Sequence, residues 1–174
     1  MATVYIGLGS NQGRRELSLR RAVERLARAG RIVCVSSIYE TEPQGYANQR
    51  WFLNAACQLE TTLKPSDLLA CTKEIERELG RQETFRNGPR TVDVDILLYD
   101  DLILEQPELQ IPHLRLAERA FVLVPLAEIA PDVVHPVHKV STSELETKAR
   151  GKGQVWLWKV TPRNHGKHGI HGNA

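Results

Sequence analysis

Hydrophobic and polar positions alternate from the start of the chain. Val4, Ile6 and Leu8 are separated by Tyr5 and Gly7, which predicts a first strand over residues 3–8. It runs into Gly9-Ser10-Asn11-Gln12-Gly13, read as a tight strand-to-helix turn. The apolar period then lengthens: Leu19, Ala22, Val23, Leu26 and Ala27 recur at helical spacing, and Gly30 stops a helix within 14–29. Residues 32–39 (IVCVSSIY), rich in β-branched side chains, predict a second strand, and 52–60 (FLNAACQLE) a third. A polar segment holding Pro43 and Gly45 separates them. A second helix, 65–79, starts at Pro65, whose ring is tolerated in a first turn. It keeps Leu68, Leu69, Thr72, Ile75 and Leu79 on one side and ends at Gly80. After a loop over 81–90 comes VDVDILLY, residues 92–99, the clearest strand in the chain.

The order β-α-β-β-α-β predicts an α+β, ferredoxin-like fold, with two helices covering one face of an antiparallel sheet. Beyond it the pattern predicts a turn at Pro112-His113, helices over 120–128 and 143–150, and a last strand over 155–160. That strand would carry Trp156 and Trp158 on one face. Residues 1–160 read as one domain, without repeats or an internal linker. The remainder, 161–174, is rich in Gly, His and Asn with almost nothing to bury, and is expected to be a disordered tail.

Composition narrows the function classes. Of 174 residues, 41% are hydrophobic and 25% charged, which suits a globular domain with one core. A net charge of +2 builds in no strong attraction to nucleic acid or membrane. No apolar run is long enough to span a bilayer, and the first residues lack the layout of a signal peptide. Cys34, Cys57 and Cys71 show no metal or redox spacing and are expected to be buried, reduced thiols of a cytoplasmic protein.

The chemistry concentrates in the strand 92–99. Asp93 and Asp95 share one of its faces, about 7 Å apart, while Val92, Val94 and Ile96 face the core. Neighbouring carboxylates repel, and two Mg²⁺ ions could bridge such a pair. Arg81, Arg86 and Arg90 stand just before it, and guanidinium forks suit phosphate oxygens. Acidic ligands beside basic residues point to nucleotide chemistry, with a structural salt-bridge cluster as the competing account. The strand is expected to lie centrally in the sheet, its aspartates facing away from both helices. An edge position, or Asp93 packed beneath a helix, would defeat the metal assignment.

Other motifs carry less. Gly7-x-Gly9-x-x-x-Gly13 is one residue too long for a dinucleotide fingerprint. Residues 4–8 suit the first strand of an RNA-binding domain, but 52–60 offer only Phe52 for the matching aromatic motif. Arginines 14, 15, 20, 21, 25 and 28, mixed with Glu16 and Glu24, read as a solvated helix face. His165, His168 and His171 would bind metal only adventitiously, and no P-loop is present.

Several segments, in order and spacing, resemble one family, the 6-hydroxymethyl-7,8-dihydropterin pyrophosphokinases. They are GLGSNQG (7–13), SSIYETEP-QG (36–45), FLNAA (52–56), IERELGR (75–81), RNGPRTVDVDILLYD (86–100), IPH (111–113) and ERAFVLVPLAEIAP (118–131). The resemblance implies transfer of diphosphate from ATP to the hydroxymethyl group of a reduced pterin in folate synthesis, with AMP released. The expected partners are small molecules, ATP and a reduced pterin, with no nucleic acid or membrane, and the chain is expected to be a monomer. Asp93 and Asp95 would hold two Mg²⁺, and Asp95 would assist loss of the hydroxyl proton. Arg81, Arg90 and Arg119 would neutralise the phosphates during catalysis. Glu76, Ile96 and His113 would lie with ATP. Phe52 and Phe121 would stack on the pterin, and Asn54 with the backbone around Thr41, Pro43 and Gly45 would read its edge. Segments 9–13, 41–50 and 81–90 would close over the substrates. Glu83 stands where a second basic loop residue is common, so Arg86 would take over that contact, and Leu114 replaces a common aromatic or proline.

Overall fold

Strand β1 (Ala2–Ser10) runs between β4 (Phe52–Thr61) and β5 (Asp93–Tyr99), antiparallel to both, in a computed structural model that describes residues 1–43, 48–80, 91–149 and 154–159. Beyond β4 lie β2 (Arg31–Val35) and β3 (Ile38–Thr41), and β8 (Val155–Lys159) pairs with the outer side of β3, giving the order β5-β1-β4-β3-β8 with β2 also on β4. A separate ribbon of β6 (Leu104–Glu105) and β7 (Gln110–Ile111) leads back toward β5.

Two apolar layers flank the sheet. On one face Val4, Ile6 and Leu8 pack with Leu19 and Leu26 of α1 (Arg15–Leu26) and with Leu68 and Ile75 of α2 (Pro65–Glu78). On the other, Tyr5, Leu97 and Leu98 pack with Leu123 and Leu126 of α3 (Ala120–Ile129) and Leu145 of α4 (Thr142–Ala149). The expected β-α-β-β-α-β order is present, and the C-terminal helices add a second layer over part of the opposite face.

Three expectations change. The strand predicted over 32–39 is two strands, broken at Ser36–Ser37. There the Ser36 amide donates to the Ala56 carbonyl and its hydroxyl accepts from the Ala56 amide, both at 2.8 Å, so one side chain replaces a rung of the ladder. The turn begins later than predicted: β1 continues through Gly9 and Ser10, which pair with Asn54 and Leu53, and the positive φ of 65° falls at Gly13. The strand carrying the aspartates is an edge strand, not a central one. The crossover through α2 delivers β5 to the free side of β1, because β4 already occupies the other side.

That edge is nevertheless covered. Glu76 of α2, 1% exposed, accepts the Val94 N–H at 3.1 Å, and the His113 N–H donates to the Leu97 carbonyl at 2.9 Å. An edge strand closed this way does not invite a further strand. Both aspartates face away from α1 and α2, as expected, since Val94 and Ile96 belong to the core layer beneath those helices. Gly45, Glu83, the loop arginines Arg81, Arg86 and Arg90, and the tail lie outside the described residues, as does most of the expected loop closure.

His135 sits in the hairpin between α3 and α4. Its Nδ1 accepts the backbone N–H groups of Val137 and His138, at 3.2 and 3.1 Å. Burial, and then the neighbouring His138 charge, push its pKa down to about 4. A histidine depressed in the folded state stabilises the fold fully above its ordinary pKa and progressively less as pH falls toward 4. Thermal melts should therefore show stability falling between pH 6.5 and 4, by at most about 1.4 kcal/mol per pH unit from this group. His135→Gln, which cannot charge, should flatten that dependence; an unchanged slope would show that His135 does not carry it.

Candidate active site

Bare backbone forms the floor of a pocket among the described residues. In the β1 registers, Gly7 faces Asp95 on β5 and Ala56 on β4, and Gly9 faces Asp93 and Asn54. A strip without side chains thus runs between two carboxylates and one carboxamide. Both glycines keep this space open: a Cβ on Gly9 would lie 3.0 Å from Asn54 Oδ1 and one on Gly7 3.2 Å from Leu97, so either side chain would have to give way by a few tenths of an ångström. Above this floor is a cavity of about 240 Å³, the size of one small heterocycle, with Phe52, Phe121, His113 and Arg119 in its walls.

The acidic wall comes from β5. Strand alternation turns Asp93 and Asp95 into the cavity and sends Val94 and Ile96 into the core. A register shift opposite Tyr5 and Ile6 then turns Leu97 and Leu98 together onto the second layer, so Leu97 closes the cavity floor. His113 reaches the same wall because its backbone is tied to Leu97. Burial, then the positive charges of Arg119 and Arg115, lower its pKa, with Asp93 acting in the opposite direction. Arg119 is the extended residue that begins α3, and its guanidinium carbon lies 5.4 Å from the centre of the Phe121 ring.

The opposite wall is built from β4 and β3. Asn54 Nδ2 donates to Thr41 Oγ1 at 2.6 Å, and both residues are buried. Phe52, two residues before Asn54, shares its face, and Phe121 enters from the first turn of α3. An amide with donor and acceptor beside two rings suits a flat, polar-edged heterocycle.

The cavity therefore gathers Thr41, Phe52, Asn54, Asp93, Asp95, His113, Arg119 and Phe121. Pro43 is half-buried beside it without lining it. Two residues assigned to the nucleotide do not line it either. Ile96 is 4% exposed within the core layer, and Glu76 is buried behind β5 with Lys73 Nζ 3.3 Å from its carboxylate. Glu42 and Val122 line the cavity unforeseen. The sequence reading places Gly7 in the first strand and Gly9 in the turn after it, without a floor; the signal for one is two glycines in the period of a strand.

Comparison with known proteins gives a consistent result. The model of the family 7,8-dihydro-6-hydroxymethylpterin-pyrophosphokinase (HPPK) matches residues 5–131. The chain is 49% identical over 157 residues to the 2-amino-4-hydroxy-6-hydroxymethyldihydropteridine pyrophosphokinase of Bacillus subtilis, covering 89% of each. It is 42% identical over 160 residues to the protein of that name from Aquifex aeolicus, covering 92% of this chain and 100% of the relative. The folic acid synthesis protein FOL1 of Dictyostelium discoideum is also 42% identical, over 152 residues, but this chain spans only 23% of its length. A crystal structure of Plasmodium falciparum HPPK-DHPS shares the fold, with a TM-score of 0.69 at 18% identity, over 84% of this chain and 44% of that one.

The two charge effects on His113 should be separable by NMR titration of its imidazole. Arg119→Gln removes a positive neighbour and should raise the midpoint toward the ordinary value, whereas Asp93→Asn should lower it further. Equal midpoints in all three proteins would mean that these groups do not share one cavity.

Proposed function

The chain belongs to the 7,8-dihydro-6-hydroxymethylpterin-pyrophosphokinase family, and we propose that it transfers diphosphate from ATP to 6-hydroxymethyl-7,8-dihydropterin, releasing AMP, in folate synthesis. One observation carries the reading beyond family membership: a carboxylate wall and a ring-and-amide wall face each other across the glycine floor of one cavity. The first suits phosphates with their metal ions, the second the pterin.

The residues present fit Mg²⁺. This ion is commonly held by one or two carboxylates, with substrate phosphates and water supplying the rest. Asp93 and Asp95 offer two carboxylates on one face, and among the described residues no group of three or more His, Cys, Asp or Glu could form a closed cage. Asp93 and Asp95 would hold two Mg²⁺, which when bound offset the charge of the ATP phosphates.

The chain's own groups do the rest. Phe52 and Phe121 hold the pterin ring flat, and Asn54 reads its edge while tethered to Thr41, so the hydroxymethyl group is directed at the acidic wall. Asp95 accepts the hydroxyl proton as that oxygen attacks the β-phosphorus; the bond to the α-phosphate oxygen breaks and AMP leaves. Arg119 faces the charge that spreads over the transferred group. His113, kept neutral by burial and two nearby guanidiniums, can hydrogen-bond the nucleotide without adding charge. Arg81 and Arg90 complete the phosphate contacts in this reading. Such a transfer depends on in-line placement and charge neutralisation rather than on a covalent residue. The three free thiols, two of them buried, suit a cytoplasmic setting.

Incubating the protein with ATP, Mg²⁺ and the hydroxymethyl pterin, then separating the nucleotides, should give AMP as the main nucleotide product. Asp95→Asn should slow the chemical step at least about a hundredfold, the scale of losing an electrostatic stabiliser. Its affinity for pterin should change much less, because Phe52, Asn54 and Phe121 make that site. ADP as main product, or near-normal turnover in Asp95→Asn, would overturn the mechanism.

A further inference from the structure

Strand β8 lies beyond residue 131, where the family match ends. It closes the outer edge of β3, pairing Val155 with Thr41, Trp156 with Glu40 and Leu157 with Tyr39. Thr41 lines the cavity and receives the Asn54 amide, so this register supports the backbone beside the atoms that read the pterin edge.

The side chains of β8 add a second support, on the reverse face of the sheet. The Trp156 ring stacks on Trp51 there, with centroids 5.0 Å apart and planes inclined by 14°. Trp51 immediately precedes Phe52. Successive residues of a strand point to opposite faces, so a ring anchored behind the sheet sets where the next ring enters the cavity. Arg15 joins the same assembly. Its Nη1 donates to Glu40 Oε2 at 2.7 Å and to the Trp51 carbonyl at 2.9 Å, and its guanidinium carbon lies 5.1 Å from the centre of the Trp158 ring. Trp51, Trp156 and Trp158 remain 37, 42 and 46% exposed, so filling the core does not account for three indoles at this spot.

We propose that β8 is a positioning element for the pterin half of the cavity. Trp156 acts through Trp51 on Phe52, and Trp158 acts through Arg15 on the Trp51 carbonyl and on β3. Neither tryptophan lines the cavity, and both stand behind the wall opposite Asp93 and Asp95. Their loss should therefore weaken pterin binding while sparing turnover and the nucleotide. The inference rests on the reading that this cavity takes the dihydropterin.

The test uses the full chain, with Trp156→Ala, Trp156→Phe and Trp158→Ala. Calorimetry measures the Kd of 6-hydroxymethyl-7,8-dihydropterin in the presence of Mg²⁺ and a non-hydrolysable ATP analogue, alongside steady-state kinetics. Trp156→Ala should raise the pterin Kd and KM about five- to tenfold, the scale of a lost aromatic pair, with kcat and the KM for ATP within about twofold. Trp156→Phe keeps a stacking ring and should bind within about twofold of wild type. Far-UV circular dichroism should show the split band of a coupled indole pair, absent in Trp156→Ala and retained in Trp158→Ala. Trp158→Ala should raise the pterin Kd by about threefold, a smaller effect because the stack survives. Unchanged pterin affinity in the alanine variants that fold, or kcat and both KM values shifting together, overturns the positioning role alone. A wild-type protein that binds no pterin overturns the reading of the cavity, and this proposal with it.

Discussion

Two carboxylates on one face of one strand repel each other, and the cavity is organised around holding them there. Asp93 and Asp95 cannot turn away, because the same strand commits Val94 and Ile96 to the core layer beneath α1 and α2. Rotating either carboxylate out of the cavity would expose those apolar side chains, at roughly 1.5–3 kcal/mol for each buried one. Across β1 the pair meets Gly7 and Gly9, so that neighbouring strand presents bare backbone to both carboxylates. The hydrophobic core in this sense keeps both carboxylates aimed into the cavity.

The edge position of β5 belongs to the same design. A central strand has both backbone edges occupied by neighbouring strands. On β5 one edge pairs with β1, and the other is open to Glu76 and to the backbone of His113. The His113 bond to Leu97 is what brings an imidazole beside the carboxylates. The buried Glu76 fixes Val94, the residue between the two aspartates. The edge position, expected to defeat the metal assignment, instead gives the acidic strand two anchors that a central strand could not accept.

Much of this was legible in the sequence, wherever a single strand or helix carried the information. Period-two alternation puts Asp93 with Asp95, the family resemblance supplies Phe52 and Asn54, and the helical repeats locate α1 and α2 to within a few residues. What one strand cannot disclose is its neighbour. The edge placement of β5, the break at Ser36–Ser37 and the glycine floor all depend on which strands pair and in which register. Ile96 illustrates a conflict already visible in the chain. The alternation that turns Asp95 into the cavity turns Ile96 away from it, so a family-based assignment and the strand period gave opposite answers. The side chain follows the period. Glu76 differs, because nothing in a helical repeat tells whether a buried carboxylate meets a ligand or a backbone amide.

The start of α3 then links the two walls. Arg119 precedes the helix and Phe121 stands in its first turn, with guanidinium and ring in cation–π range. Leu123 and Leu126 are fully buried, and Glu128 accepts from the Tyr39 hydroxyl at 3.0 Å and from the Ser37 amide. The helix is thereby fastened to β3, the strand that carries Thr41. On the proposed reading, a shift of Arg119 toward phosphate would draw on the Phe121 ring assigned to the pterin, and a displaced pterin would disturb the Arg119 cation. Because β3 is held on its far side by β8, this coupling does not end at the cavity wall. It runs through the Thr41 backbone to β8, so on the proposed reading a change in that strand would adjust pterin affinity without altering the acidic wall.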